Sequence, residues 1–207
     1  MDILAFWAYE ILSSLLPLFV ALMIFRVAQK KKGITFSKGN LLMTVVFSIY
    51  VYGVYHFTGA GTIYDGIRYQ FELPYQINII PFSKEIDIVS YLLNILLFIP
   101  LGVIVPIVWK KMQKLTNVIG IGFFFTILIE ISQLLNNRRT DIDDIILNIL
   151  GAVIGYGIFK LFNKITKSKY QVNSPLTNEL PIYIVVIFLG RFLLFNEFGL
   201  AKLLYGF

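Results

Sequence analysis

The chain has 207 residues, of which 57% are hydrophobic and only 14% charged, and its mean hydropathy is +0.77. A soluble domain carries about 25% charged residues, so this composition suits a chain whose solvent is lipid. The net charge is +6, but no basic run is mixed with stacking aromatics in a way that suggests nucleic acid, and the absence of cysteine excludes disulfides, a thiol nucleophile and a thiolate metal site.

Six segments in chain order are long and apolar enough to be read as membrane spans: 3–25, 41–57, 88–108, 115–135, 145–162 and 180–195. The first contains Glu10, the second ends at His56, the third has no ionisable residue, the fourth contains Glu130, and the fifth has Lys160 near its end. The sixth is short and carries Arg191; it crosses by thinning the bilayer or by extending towards Leu203. The expected fold class is therefore all-α, a polytopic transmembrane bundle of about six spans forming a single membrane domain over 1–207. The N-terminus, opening with Asp2, does not read as a signal peptide.

Orientation follows from the basic residues. Arg26, Lys30, Lys31, Lys32 and Lys38 fall in the first loop, Lys110, Lys111 and Lys114 in the third, and Lys160, Lys164, Lys167 and Lys169 in the fifth. The positive-inside bias then makes the odd loops cytoplasmic and both termini extracytoplasmic. These basic runs read as topology signals and contacts to anionic lipid. Trp7, Tyr9 and Trp109 fall at predicted interfaces, where aromatic belts belong. Two stretches lie outside the spans. The loop 59–87, with Tyr64, Arg68, Tyr69, Phe71, Pro74 and Pro81, is long enough to be structured or functional. The segment 170–179, with Asn173, Ser174 and Pro175, reads as a turn.

With a rise of about 1.5 Å per residue, Glu10, His56, Asn94, Glu130, Gln133, Asp144, Asn148 and Arg191 all fall in the outer half of their spans, and the cytoplasmic half reads as almost purely apolar. Charges at membrane depth are costly unless paired or hydrated, so their concentration in one leaflet predicts one shared polar cluster. Asp141, Asp144, Asn148, Gly151 and Gly155 recur at three- and four-residue spacing and share one helical face. Asp141 and Asp144 suit a helix N-terminus, and Gly151 with Gly155 forms a small-xxx-small pair that admits another helix closely. Glu130 and Gln133 share a face of the preceding helix, which the short turn 136–140 makes an antiparallel neighbour, with Arg138 and Arg139 close to Asp141, Asp143 and Asp144. The plainer readings are capping for the aspartates, an interhelical hydrogen bond for Glu130 and Gln133, structural pairing for Glu10 and Arg191, an interfacial position for His56, and a polar clamp and a kink for Asn94 and Pro100. A lone histidine makes a zinc site unfavourable.

The constellation resembles the VanZ-like family of bacterial membrane proteins. Residues 78–82 (Asn-Ile-Ile-Pro-Phe) look like the family's segment before its first core span, and 94–102 is similar to its N-x-x-x-F-x-P-x-G signature. Glu130 through Gln133 resembles E-x-x-Q, and Arg138, Asp141, Asp144, Asn148, Gly151 and Gly155 match R-x-x-D-x-x-D-x-x-x-N-x-x-G-x-x-x-G. Arg139-Thr140 departs from the family, which often has a small residue and then an aromatic. The resemblance covers about 76–163, leaving 3–25, 41–57 and 180–203 as extra spans. It implies a multi-pass protein of a bacterial plasma membrane that lowers susceptibility to teicoplanin and related lipoglycopeptides; it implies no settled chemistry.

Three function classes follow. In the first, an extracytoplasmic polar cluster of Asn94, Glu130, Gln133, Arg138, Asp141, Asp144 and Asn148 binds or shields an envelope lipid, a lipid-linked cell-wall precursor or the lipoglycopeptide itself, with membrane lipids as partners and no nucleic acid. In the second, the protein is an enzyme on a lipid-linked phosphate: Glu130, Asp141 and Asp144 hold Mg²⁺ or Mn²⁺ or act as acid and base, and Arg138 holds phosphate. In the third, Glu130 couples a small transporter or flippase to protons. No HExxH, G-x-S-x-G or P-loop pattern is present. The apolar cytoplasmic half argues mildly against transport.

Overall fold

The computed structural model describes residues 3–70, 77–83, 87–138, 140–170, 172, 174 and 179–206. The expectations placed on Asp2, Phe71, Pro74, Arg139, Asn173 and Pro175 fall outside the described residues. Five helices are long and apolar enough to cross a bilayer: α1 (Ile3–Lys31), α2 (Lys38–Thr58), α4 (Ile88–Val108), α5 (Leu115–Gln133) and α6 (Ile142–Ile165). A short α3 (Ile63–Arg68) follows α2. The last segment is a bent pair, α7 (Glu179–Leu194) and α8 (Glu197–Tyr205), with 41° between them. Counted as one broken span, the pair brings the total to six.

Local chemistry sets the helix ends. Ser37 caps α2 by accepting from Asn40 N, and Gly59 closes it at φ +60°, a left-handed conformation suited to glycine. Thr62 and Asp65 form a reciprocal capping box on α3. Asp87 caps α4 through the N–H groups of Val89 and Ser90 (3.0 and 3.3 Å), and the Ser90 hydroxyl adds a bond of 2.6 Å. That hydroxyl, with the capped N–H groups, holds the exposed Asp87 carboxyl below its ordinary pKa. Asp141 caps α6 by accepting from Asp143 N.

The most intimate packing joins α4 and α6, which run parallel. Gly151 lies under the carbonyl of Ile95 and Gly155 under that of Ile99, so that an added Cβ would sit 2.2 and 2.0 Å from those oxygens. Gly102 returns the arrangement, with Ala152 O 2.0 Å from its hypothetical Cβ. Three glycines therefore let two backbones touch, the device by which membrane helices associate without a hydrophobic driving force between them. Gly190 plays the same part between α7 and the Ser13 carbonyl of α1. The middle of the bundle is apolar: Phe47, Val51, Phe98, Leu101 and Phe125 are fully buried.

Residues 77–83, between α3 and α4, lie against the start of α6. Ile77–Asn78 pairs in parallel with Thr140–Asp141, a two-residue bridge and the one strand pairing among the described residues. At the end of the bundle carrying the basic loops the structure differs from expectation, because that half is not purely apolar. Arg26 donates to Asn40 Oδ1 (3.2 Å) and Thr44 Oγ1 (3.4 Å), and Glu179 accepts from the hydroxyls of Tyr183 and Ser174. Asn40, Thr44 and Glu179 are buried. Glu179 opens α7 and therefore lies within the bundle.

Candidate functional site

At the opposite end, α2, α4, α5 and α6 enclose a cavity of about 590 Å³. Asn94 enters from α4, Glu130 and Gln133 from the last turn of α5, Arg138 from the turn, and Asp144 and Asn148 from the first turns of α6. Six of the seven residues singled out from the sequence thus line one space. The seventh, Asp141, sits behind its wall. Its backbone N–H donates to Glu130 Oε2 (3.3 Å), and its carboxylate accepts from Asn78 Nδ2 (3.0 Å). The predicted antiparallel pairing of α5 with α6 is seen directly in Asn148 Nδ2, which donates to Thr126 Oγ1 one turn below Glu130 (2.8 Å).

Each polar side chain has a definable state. Asn94 Nδ2 donates to Asp144 Oδ1 at 2.5 Å. Gln133 Nε2 and an Arg138 terminal N–H both donate to the Thr58 carbonyl (2.8 and 2.7 Å), at the point where α2 ends and its carbonyls lack helical partners. Asn136 does the same for Gly59 O (2.8 Å). Glu130 differs from its neighbours. It is 3% exposed, Oε2 takes only the Asp141 N–H, and Oε1 has no hydrogen-bond partner among the described residues. A carboxylate so placed is costly unless something else occupies the space.

The cavity is amphiphilic. Phe57, Leu93 and Leu96 form its other wall, and each is more than half exposed on the lipid-facing surface of the bundle. A lipid could therefore enter from the side without crossing a polar barrier.

The aspartates read as helix caps also hold a neighbouring segment. Asp143 accepts from the Phe82 N–H (2.8 Å) and from the Tyr91 hydroxyl (2.5 Å), so the 77–83 strap is held to α6 by two aspartates. Thr58, Ser90 and the apolar wall carried no motif that marked them. Among the described residues no group of three or more His, Cys, Asp or Glu side chains is placed to hold a metal ion, so Glu130, Asp141 and Asp144 do not form a three-carboxylate site.

A second polar cluster lies beside the first. Glu10 accepts from Arg191 Nε (3.3 Å) and the Tyr52 hydroxyl (3.4 Å), and pairs with His56 Nδ1 at 2.7 Å. Arg191 also donates to Ala60 O. His56, expected only as an interfacial residue, is thus a partner of Glu10. Arg138 borders both the main cavity and a smaller one of about 210 Å³ next to Arg191.

A family model described as VanZ/LLP1 matches residues 41–163, more than half of the chain. The match begins at α2, earlier than the 76–163 region whose motifs carried the resemblance, in keeping with the contribution of Phe57 and Thr58 to the cavity. No curated protein and no solved structure matches the chain. With its membrane-length helices and this match, the chain is a multi-pass membrane protein that belongs to the VanZ/LLP1 family.

Proposed function

We propose that this protein sits in a bacterial plasma membrane with the cavity facing outward, and lowers susceptibility to teicoplanin and related lipoglycopeptides by binding or shielding an envelope lipid or a lipid-linked cell-wall component. The observation that carries this reading is the amphiphilic cavity, with Glu130, Asp144, Asn94 and Arg138 on one wall and lipid-facing Phe57, Leu93 and Leu96 on the other. An amphiphile with a polar head and an apolar tail matches both walls. The distribution of Lys and Arg supports the orientation, since it places the basic loops in the cytoplasm.

A second reading rests on Glu130 and Arg138 sharing the cavity. In an enzyme on a lipid-linked phosphate, Arg138 would hold the phosphate and Glu130 would move a proton. Transport is the weaker reading. Buried polar groups occur at both ends, but Phe47, Val51, Phe98, Leu101 and Phe125 separate them.

The test is teicoplanin susceptibility in a host lacking VanZ-like genes, with wild type, Glu130→Gln, Asp141→Asn and Asp144→Asn at matched membrane levels. Protection by wild type and its loss in Glu130→Gln and Asp144→Asn is expected. Equal protection by all four would move the function away from the cavity. Release of a hydrolysed lipid product that depends on Glu130 would favour the enzyme.

A further inference from the structure

The hydrogen-bonding inventory of the cavity is lopsided. Each of its amides turns an N–H towards the protein: Asn94 to Asp144, Gln133 to Thr58 O, and Asn148 to Thr126. Thr58 O is a carbonyl and only accepts, so it fixes which end of the Gln133 amide faces it. Three acceptors are left over. Glu130 Oε1 has no partner among the described residues, and Gln133 Oε1 and Asn148 Oδ1 are buried without one. Glu130, Gln133 and Asn148 are 3%, 8% and 2% exposed. The complementary occupant must bring donors and, opposite Glu130, positive charge. At the mouth the charge reverses, because the exposed Arg138 uses one N–H on Thr58 O and the rest of its guanidinium fork has no partner among the described residues.

We infer that the cavity takes a lipid whose headgroup joins a phosphate to a primary ammonium, with the ammonium on Glu130 Oε1, the phosphate towards Arg138 and the acyl chains along Phe57, Leu93 and Leu96. This rests on the lipid-binding reading and narrows its ligand. A primary ammonium carries both positive charge and N–H donors, the combination that the cavity-lining Glu130 Oε1, without a partner among the described residues, can accept. A trimethylated ammonium has charge but no donor, and a headgroup with only phosphate and hydroxyls brings negative charge towards Glu130 and Asp144. Charge-assisted hydrogen bonds in a water-poor site are strong enough to set such a preference.

Native mass spectrometry of the full chain in detergent micelles tests it. The probes are phosphatidylethanolamine, phosphatidylcholine and phosphatidylglycerol with identical acyl chains, added at equal concentration. Wild type is expected to hold the ethanolamine lipid about tenfold more tightly than either competitor. Glu130→Gln should bring it down to the choline lipid, whereas Glu130→Asp, which keeps the charge, should retain a preference; an unchanged unfolding midpoint shows that both variants are folded. Equal binding of the three lipids by wild type, or a preference that survives Glu130→Gln, overturns the inference. Leu96→Trp, which fills the apolar wall, separates the levels of failure. If it removes adducts that show no headgroup preference, the cavity binds lipid and only the ammonium assignment falls; if it changes no adduct, the lipid-binding reading falls with it.

Discussion

Glu10 and Glu130 are both carboxylates buried to within 3% of complete in the same end of one membrane bundle, yet they sit in opposite circumstances. Glu10 is closed in by Arg191, His56 and Tyr52, so both of its oxygens have partners. Glu130 receives one backbone N–H and borders a cavity of about 590 Å³. The first is what a buried charge needs in order to be tolerated as structure. The second leaves one carboxylate oxygen beside open space, without a partner among the described residues. Sequence position and hydropathy do not separate the two; the partners do.

The sharpest way to break the comparison is to remove Glu10. Glu10→Gln leaves Arg191, itself 7% exposed, without its ion-pair partner. A loss of about 3 kcal/mol is expected in denaturant unfolding in micelles. Gly155→Ala comes next, because its Cβ would meet Ile99 O and force α4 and α6 apart; about 2 kcal/mol should be lost. Asn94→Ala removes one donor to Asp144 and is expected to cost about 1 kcal/mol, read as a smaller drop in the unfolding midpoint. Glu130→Gln should shift unfolding by less than about 0.5 kcal/mol while abolishing protection, since it breaks no ion pair. If it destabilises as strongly as Glu10→Gln, the contrast between the two carboxylates fails.

The smallest effect concerns pH. Asp87 has its pKa lowered in the folded protein by Ser90 and the α4 N-terminus. Its contribution to stability is therefore present above the unfolded aspartate pKa of about 4 and is lost as pH falls through the folded value. Asp87→Asn should flatten that acid limb and leave unfolding at pH 7 with only the lesser loss of a weakened cap. An unaltered acid limb would show that the cap carries no proton linkage.

Much of this was legible in the sequence because it obeys a period. Hydropathy marked the spans, and three- and four-residue spacing put Asp144, Asn148, Gly151 and Gly155 on one face of α6 and Glu130 with Gln133 on one face of α5. A turn as short as 136–140 left those two helices little choice but to be neighbours. What was not legible depends on partners far apart in the chain. The strap residues Asn78 and Phe82 reach Asp141 and Asp143 across more than 60 positions, and one of the two uses its backbone. The Thr58 carbonyl is available only because α2 ends there. Gly151 and Gly155 announce a close helix without naming it, and the partner proves to be α4 rather than the sequential neighbour α5. The polar cluster of Arg26, Asn40 and Glu179 escaped notice because Arg26 reads as a topology signal and Glu179 as part of a loop.

The proposed outward opening of the cavity is tested most directly by thiol accessibility. The chain has no cysteine, so single substitutions report cleanly. Ser90→Cys borders the cavity and Lys164→Cys lies at the basic end of α6. In intact cells a membrane-impermeant maleimide should label Ser90→Cys and reach Lys164→Cys only after permeabilisation. The reverse pattern would place the cavity on the cytoplasmic side and contradict the proposed binding of an envelope lipid from outside.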